Sequence, residues 1–214
     1  MTMTAQQAAS LTSGFNTPVQ WNNFRQINNP SLPRDAHIDV RYSFNTGIAQ
    51  LQAGVYRFTN PRASVSINPA GTWVRSSWYQ NASPAEKSRL LRHEQGHYDL
   101  IRLAMRDLVQ AVGSLEWHEA VVSALREVGN SAAARLQWAQ RRLQDDARTA
   151  LRQAEALIRE LAGTPPVDGL YDTNTDHGSR QAQQNTWTQV FARCVQTGES
   201  LGTLLWVFGI RTQP

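Results

Sequence analysis

The sequence contains one cysteine, Cys194, so no disulfide bond can form within the chain. It also lacks a long apolar run. The stretch 204–210 is too short to span a bilayer, and its composition favours a terminal strand. The first residues have neither the basic segment nor the apolar segment of a secretory signal. We therefore expect no membrane span, and the chain as printed is expected to remain in the cytoplasm.

The charge is basic, but no nucleic-acid motif accompanies it. The formal net charge is +4, and a group of arginines lies in the stretch 135–159, where acidic residues are interspersed among them. This mixture is typical of a solvent-exposed helix face. Because none of the motifs of nucleic-acid-binding folds is present, DNA and RNA are not expected partners.

The first third of the chain carries strand signals. Residues 1–36 are rich in Asn, Gln, Ser and Pro, which predicts a poorly structured N-terminal arm. Beyond it, the region 37–80 is predicted to form a small, mostly antiparallel sheet. Its strand runs 64–67 and 72–74 flank Asn68-Pro69-Ala70-Gly71, a turn signal that predicts a hairpin. Two more strand runs lie at 37–44 and 55–58.

Helical patterns dominate residues 84–162. Ser83-Pro84-Ala85-Glu86 is a capping box with proline at the first helical position, which predicts a helix start, and Gly113 predicts the end of that helix. A long helix is predicted from Ser131 to about Leu161. Its Ala-rich stripe suits packing on another helix, although an interaction arm would have the same pattern.

A polar loop at 167–178 and a last helix at 179–197 complete the pattern. Together these elements predict an α+β fold: a small antiparallel sheet followed by a mostly helical half. The domain is expected to cover 37–214, with 1–36 as the arm.

The most informative motif is the H-E-x-x-H pentad His93-Glu94-Gln95-Gly96-His97. On a helix, positions i and i+4 lie on one face, so both imidazoles can bind one Zn²⁺, and Glu94 can reach a water on that ion. Gly96 within a helix costs about 1 kcal/mol relative to Ala, which indicates that another group approaches closely there.

Two histidines do not complete a catalytic zinc site, which needs three protein ligands and a water. Glu116 and Glu119 follow the pentad at about the separation used by thermolysin-like enzymes, and they are predicted on a short helix of their own. An exposed first helical turn explains them equally well, because Glu is favoured there. The candidates for the third ligand are Glu116, Glu119, His118, His177 and His37.

His177 lies in the predicted polar loop, whose other side chains suggest supporting roles. Tyr171 is a candidate hydrogen-bond donor to a developing oxyanion. Asp172, Thr175 and Asp176 could orient the metal ligands without binding the metal themselves.

Two motifs resemble those of a bacterial family of proteins regarded as secreted zinc-dependent proteases and long catalogued as a domain of unknown function. The first is LRHEQGHYD at 91–99, and the second is YDxxTxHG at 171–178. The family is grouped with the zincin peptidases, so the resemblance implies a zincin-like fold. It also favours His177 over Glu116 and Glu119 as third ligand. The family is often secreted, whereas this chain shows no signal.

The motifs predict a zinc-dependent metallopeptidase, most closely a metalloendopeptidase. His93, His97 and His177 would bind Zn²⁺, which lowers the pKa of a bound water to about 7. Glu94 would accept the proton of that water as general base and pass it to the leaving amine. The substrate would be a peptide or protein lying along a sheet edge, for which strand 72–74 or its hairpin partner is the candidate.

A different class of function has to be weighed against this one. The domain could be a catalytically inactive zincin-like module with a closed metal site. Its long Ala-rich helix would then make the partner contacts. Cleavage preference and oligomeric state do not follow from the sequence.

Overall fold

A computed structural model describes residues 2–32, 34–164 and 167–212. Its fold is mixed α and β with small sheets, so the α+β prediction is confirmed at that level. The helices are α1 (Ala5–Ser10), α2 (Ser76–Asn81), α3 (Pro84–Gly113), α4 (Glu119–Ala124), α5 (Ala132–Ala162), α6 (Leu170–Thr175), α7 (Gln181–Thr197) and α8 (Leu201–Val207). None of these described helices has both the length and the apolar character that a bilayer span requires.

The strands are short and form several small sheets rather than one. Their bounds are β1 (Thr12–Ser13), β2 (Arg25–Ile27), β3 (Ala36–His37), β4 (Val40–Asn45), β5 (Ile48–Gln52), β6 (Val55–Thr59), β7 (Arg62–Ile67), β8 (Trp73–Arg75), β9 (Glu116–His118), β10 (Gly163–Thr164) and β11 (Val167–Asp168). Within the described ranges, the strand orders are β1-β7-β4, β2-β8-β3, β5-β6-β9 and β10-β11.

The predicted hairpin between 64–67 and 72–74 is wrong, because the two strands belong to different sheets. The chain does turn at Asn68, where Thr72 N donates to Asn68 O over 3.0 Å. Asn68 N, however, donates to Asp39 O (2.8 Å), so the turn is fixed to a neighbouring segment. β8 leaves the turn to pair with β2 and β3 instead of β7. It is therefore the central strand of its sheet.

The N-terminal segment is an integral part of the fold, contrary to the expected poorly structured arm. Thr4 caps α1, β1 pairs with β7, and β2 pairs with β8. Tyr98 of α3 donates a hydrogen bond to Gly14 O at 2.8 Å. The segment is mostly polar, but apolar side chains spaced along it are buried in the core. They are Ala8, Phe15, Val19 and Phe24.

α3 is the central element of the fold. Ser83 Oγ accepts a hydrogen bond from Glu86 N, and the Glu86 carboxylate accepts one from Ser83 N, so the predicted capping box is present. The helix ends at Gly113, as predicted. It packs against α1, α5, α7, β4 and β7, and this position explains why its apolar residues are buried on several faces.

The predicted long helix is confirmed as α5, and its contacts distinguish between the two interpretations of its Ala-rich stripe. Ser131 caps its start, and Gly163, with φ of 79°, follows its last residue. The helix packs along α3 and also touches β5 and β6. Ala139, Leu143 and Ala147 are buried in that contact. The stripe therefore packs inside the domain, as the first of the two interpretations predicted.

Three local predictions near the site and the C-terminus are wrong. The predicted loop 167–178 contains β11 and helix α6. The predicted terminal strand 204–210 is largely helical: Ser200 caps α8, and Leu201, Leu204 and Leu205 are buried at helical spacing. Glu116 lies on strand β9 rather than on a helix. Residues 165–166 lie outside the described ranges.

We predict that Phe15→Ala lowers the free energy of unfolding by about 3–5 kcal/mol, as truncation of a buried aromatic side chain does. Phe15 is 7% exposed, and the guanidinium of Arg102 lies 4.6 Å from its ring centroid. The measurement is urea denaturation. The control is Asn16→Ala at an exposed position of the same segment, which should change stability by less than about 0.5 kcal/mol. Equal, small effects would mean that the segment is not packed.

Candidate metal centre

The pentad imidazoles lie side by side on α3. His93 Nε2 and His97 Nε2 are 3.3 Å apart. Two nitrogens bound to one tetrahedral zinc at about 2.0–2.1 Å are separated by about 3.3–3.4 Å. The spacing between the two nitrogens is therefore what a shared ion requires.

A carboxylate from α6 completes the cluster. Asp172 Oδ1 lies 3.0 Å from His93 Nε2 and 2.9 Å from His97 Nε2. The residue is buried, which by itself raises its pKa, but contacts with the two imidazoles lower the pKa well below its usual range. The Asp172 carboxyl group therefore faces the same point as the two imidazole nitrogens.

The hydrogen bonds around His93 fix which of its nitrogens carries the proton. Gln184 Nε2 donates to Tyr171 Oη (2.6 Å), so Gln184 Oε1 is the atom that faces His93 Nδ1, at 3.4 Å. Thr175 Oγ1 donates to Tyr171 O (2.7 Å) and is thus also an acceptor towards Nδ1, at 3.3 Å. Nδ1 must be the donor, so in the neutral ring Nε2 offers a lone pair to the cluster.

If His93 Nε2 carries a lone pair, it makes no hydrogen bond to Asp172 Oδ1 at 3.0 Å, and the two electron-rich atoms face each other unless a cation or a proton lies between them. Asp172 Oδ2 adds to this, because it is buried and has no hydrogen-bond partner within the described ranges. A metal ion bound to Oδ1 would resolve the first feature, and the Arg34 guanidinium faces Oδ2 at 3.3 Å. The donor set therefore fits a metal ion.

His177, the expected third ligand, lies beside the cluster. Its Nδ1 is 3.5 Å from Asp172 Oδ1, and its Nε2 is 3.3 Å from Asp168 Oδ2. One donor atom from each of His93, Asp172 and His177 lies within 4.8 Å of the other two, so this group could hold a metal ion. The His177 side chain is 41% exposed, whereas the other two are buried.

The other candidates for the third ligand have different partners. Glu116 lies 3.9 Å from the Arg57 guanidinium and Glu119 lies 3.7 Å from that of Arg135. His118, on β9, has a side chain that is 64% exposed. His37 lines the same cavity as the pentad, and burial lowers its pKa. None of these four belongs to the metal-binding group described above.

The prediction that Tyr171 donates a hydrogen bond to an oxyanion is wrong, because its hydroxyl is buried beneath the pentad. It donates to His93 O (3.2 Å), and its ring stacks on the imidazole of His93 with 4.9 Å between centroids and 6° between planes. Burial also raises its pKa. This ring is the close approach that Gly96 indicated: a Cβ on Gly96 would lie 1.9 Å from Tyr171 Oη. Tyr171 therefore positions α6 against α3.

Glu94 is buried with its carboxylate facing a cavity of about 650 Å³. Its Oε2 accepts a hydrogen bond from Ile38 N (3.0 Å), just beyond β3. Burial raises the pKa of Glu94 to about 7. The carboxyl can therefore take up and release a proton near neutral pH.

The sequence analysis did not identify two residues that contact the cluster, and it placed Asp172 farther from the metal position than the structure does. Asp172 was expected to act behind the ligands, but its oxygen lies among them. Arg34, with Nη1 3.3 Å from Asp172 Oδ2, and Gln184 were not singled out. Neither residue belongs to a recognisable local motif, and only the folded chain brings them to the site.

Comparison with protein families, with curated proteins and with solved structures finds no match for this chain. The resemblance to secreted zinc-dependent proteases therefore stays a prediction.

We predict that Gly96→Ala destabilises the protein by about 1–3 kcal/mol, although Ala is favoured over Gly in helices by about 1 kcal/mol. The added methyl would collide with the ring of Tyr171, which has no room to retreat because it is fully buried. The measurement is chemical denaturation of the metal-free protein.

The matched control for this prediction is Gly113→Ala, at the end of the same helix. There the nearest atom to the added Cβ is the terminal methyl of Met3, at 2.3 Å, and a flexible side chain can move aside. Gly96→Ala with stability equal to or above that of Gly113→Ala would contradict the packing role of Gly96.

Proposed function

We propose that the protein is a zinc-dependent peptidase of the zincin type, most closely a metalloendopeptidase. The ion would be held by His93 and His97, with Asp172 and His177 as the further donors next to them. The observation that carries the proposal is the 3.3 Å spacing of the two Nε2 atoms beside the buried carboxyl group of Asp172. When bound, zinc supplies Lewis acidity and an acidic water to such a site.

The role of Glu94 is proton transfer. The amide of Ile38 holds one oxygen of its carboxylate in place, and the carboxylate lines the cavity together with His93 and His97. In peptide hydrolysis it would accept a proton from the attacking water and return it to the leaving amine. Its fixed position means that no side-chain rearrangement has to precede the proton transfer.

The cavity offers a sheet edge for an extended substrate, but a different one from that expected. β8 (the 72–74 candidate) and β7, its supposed partner, are both central strands, so neither has a free edge. β3 is an edge strand and lines the cavity. Arg75 N donates to Asp35 O, so by the alternation of antiparallel pairs the backbone of Ala36 is directed away from β8. A peptide could pair there, next to Glu94.

Two features of the structure argue against the alternative function, a catalytically inactive module. The Ala-rich stripe of α5 would have to make the partner contacts, but that stripe is packed on α3. Glu94 is also buried, and no salt bridge to it is found among the described residues that would explain its burial. Its one hydrogen bond within the described ranges is from the Ile38 amide.

We predict that the purified protein binds about one equivalent of zinc and that His93→Ala and His97→Ala each abolish this binding, because each removes a nitrogen ligand. Elemental analysis after dialysis measures the zinc content of each protein. His118→Ala, at an exposed position on β9, should bind zinc like the wild type. Full zinc content in both pentad variants would contradict the proposed centre.

We predict that Glu94→Gln lowers the rate of peptide cleavage by about 10²–10⁴-fold while zinc stays bound, because the amide cannot accept the proton. The test is digestion of a peptide library with and without chelator, followed by kinetics on the best substrate. Glu127→Gln, at an exposed position, is the control. Wild-type protein that is loaded with zinc and cleaves no peptide would instead support the inactive module.

A further inference from the structure

We propose that Asp172, rather than His177, is the third protein ligand of the metal, so that the centre consists of two imidazoles and one carboxylate. This assignment rests on the proposed function in one respect, that the pentad binds zinc. It changes the chemistry of that site, because a carboxylate ligand brings a negative charge that a third imidazole would not.

Distance favours the carboxylate. Asp172 Oδ1 lies 3.0 Å and 2.9 Å from the Nε2 atoms of His93 and His97. Ligand atoms of one tetrahedral zinc lie about 3.3 Å apart, so these atoms need to separate by only about 0.3–0.4 Å to admit the ion. His177 Nδ1 lies 3.5 Å from the same carboxylate oxygen.

Charge and hydrogen bonding favour it as well. The carboxyl group is buried, and its Oδ2 has no hydrogen bond within the described ranges. Among the described residues, the Arg34 guanidinium, 3.3 Å from Oδ2, is the one arginine or lysine group within ion-pair distance of Asp172. A metal on Oδ1 and Arg34 beside Oδ2 would together balance a charge that is otherwise costly to bury.

The position of His177 suits an outer group. Its side chain is 41% exposed, and its Nε2 faces the Asp168 carboxylate. Arg34 also pairs with Asp168. His177 thus stands at the mouth of the site, between the two carboxylates that Arg34 contacts, and it supports Asp172 from outside. Loss of such an outer partner costs about 10–100-fold in metal affinity, and loss of a ligand costs more.

The first experiment measures zinc affinity by competition with a chromophoric chelator, and thermal unfolding with and without zinc. Asp172→Asn should lose more than about 100-fold in affinity and gain no thermal midpoint from zinc that saturates the wild type. His177→Ala should lose at most about 100-fold and keep the zinc-dependent rise. Asp145→Asn, at a surface ion pair on α5, is the control and should match the wild type.

The second experiment begins with the wild-type protein, so its main result does not depend on how the Asp172 variant folds. X-ray absorption at the zinc edge counts the imidazoles bound to the ion. We expect two in the zinc-loaded wild type and two in His177→Ala. Three in the wild type, falling to two in His177→Ala, would overturn the assignment, and so would wild-type zinc affinity in Asp172→Asn. Metal-free Asp172→Asn should also show the far-ultraviolet circular dichroism of the metal-free wild type.

These outcomes separate the ligand assignment from the proposed function. If the wild type binds no zinc, both fail. If zinc binding depends on His93 and His97 and survives loss of the Asp172 carboxylate, the ligand assignment alone fails and the peptidase proposal stands.

Discussion

The contact between α3 and α6 at Gly96 sets the distance between the two elements that carry the site. Tyr171 lies where a side chain at position 96 would be, and its ring stacks on His93. Because Asp172 follows Tyr171 directly, the same contact brings its carboxylate to the pentad nitrogens. A single packing interaction thus determines whether donors that are 75 residues or more apart in sequence, His97 and Asp172 among them, meet at one point. The usual penalty for glycine in a helix is offset by that approach.

The remaining architecture keeps α3 from moving relative to its neighbours. α5 packs along one side of the helix, α7 along another, and the N-terminal segment and the β4–β7 pair cover the rest. Gln184, from α7, reaches His93 Nδ1 and so fixes the proton on the side away from the cluster. Local order at the ligands therefore depends on packing of the whole domain. Interiors packed at such density leave few alternative positions for a buried side chain.

Features with local signals could be predicted from the sequence, and features made by distant pairing could not. The start and end of α3 follow from Ser83 and Gly113, and the start of α5 follows from Ser131, since caps act within one turn. The pairing of β2 with β8 joins segments with no common local signal. α6 has no side-chain cap. Asp172 was recognised as a polar loop residue, but its place beside the pentad nitrogens depends on the tertiary contact at Gly96.

Charge balance links metal binding to stability. Within the site two carboxylates, Glu94 and Asp172, are buried close enough that the charge of Asp172 contributes to the raised pKa of Glu94. The histidines between them are neutral ligands when they bind metal. A divalent cation carries the charge that two carboxylates require, and Arg34 at the edge of the site supplies only one positive charge. Without an ion, burial and the nearby Asp172 carboxylate favour the protonated form of Glu94 in the folded state. If the site binds zinc as proposed, the ion would also stabilise the folded state, because the arrangement of donors that it binds exists only in the folded chain.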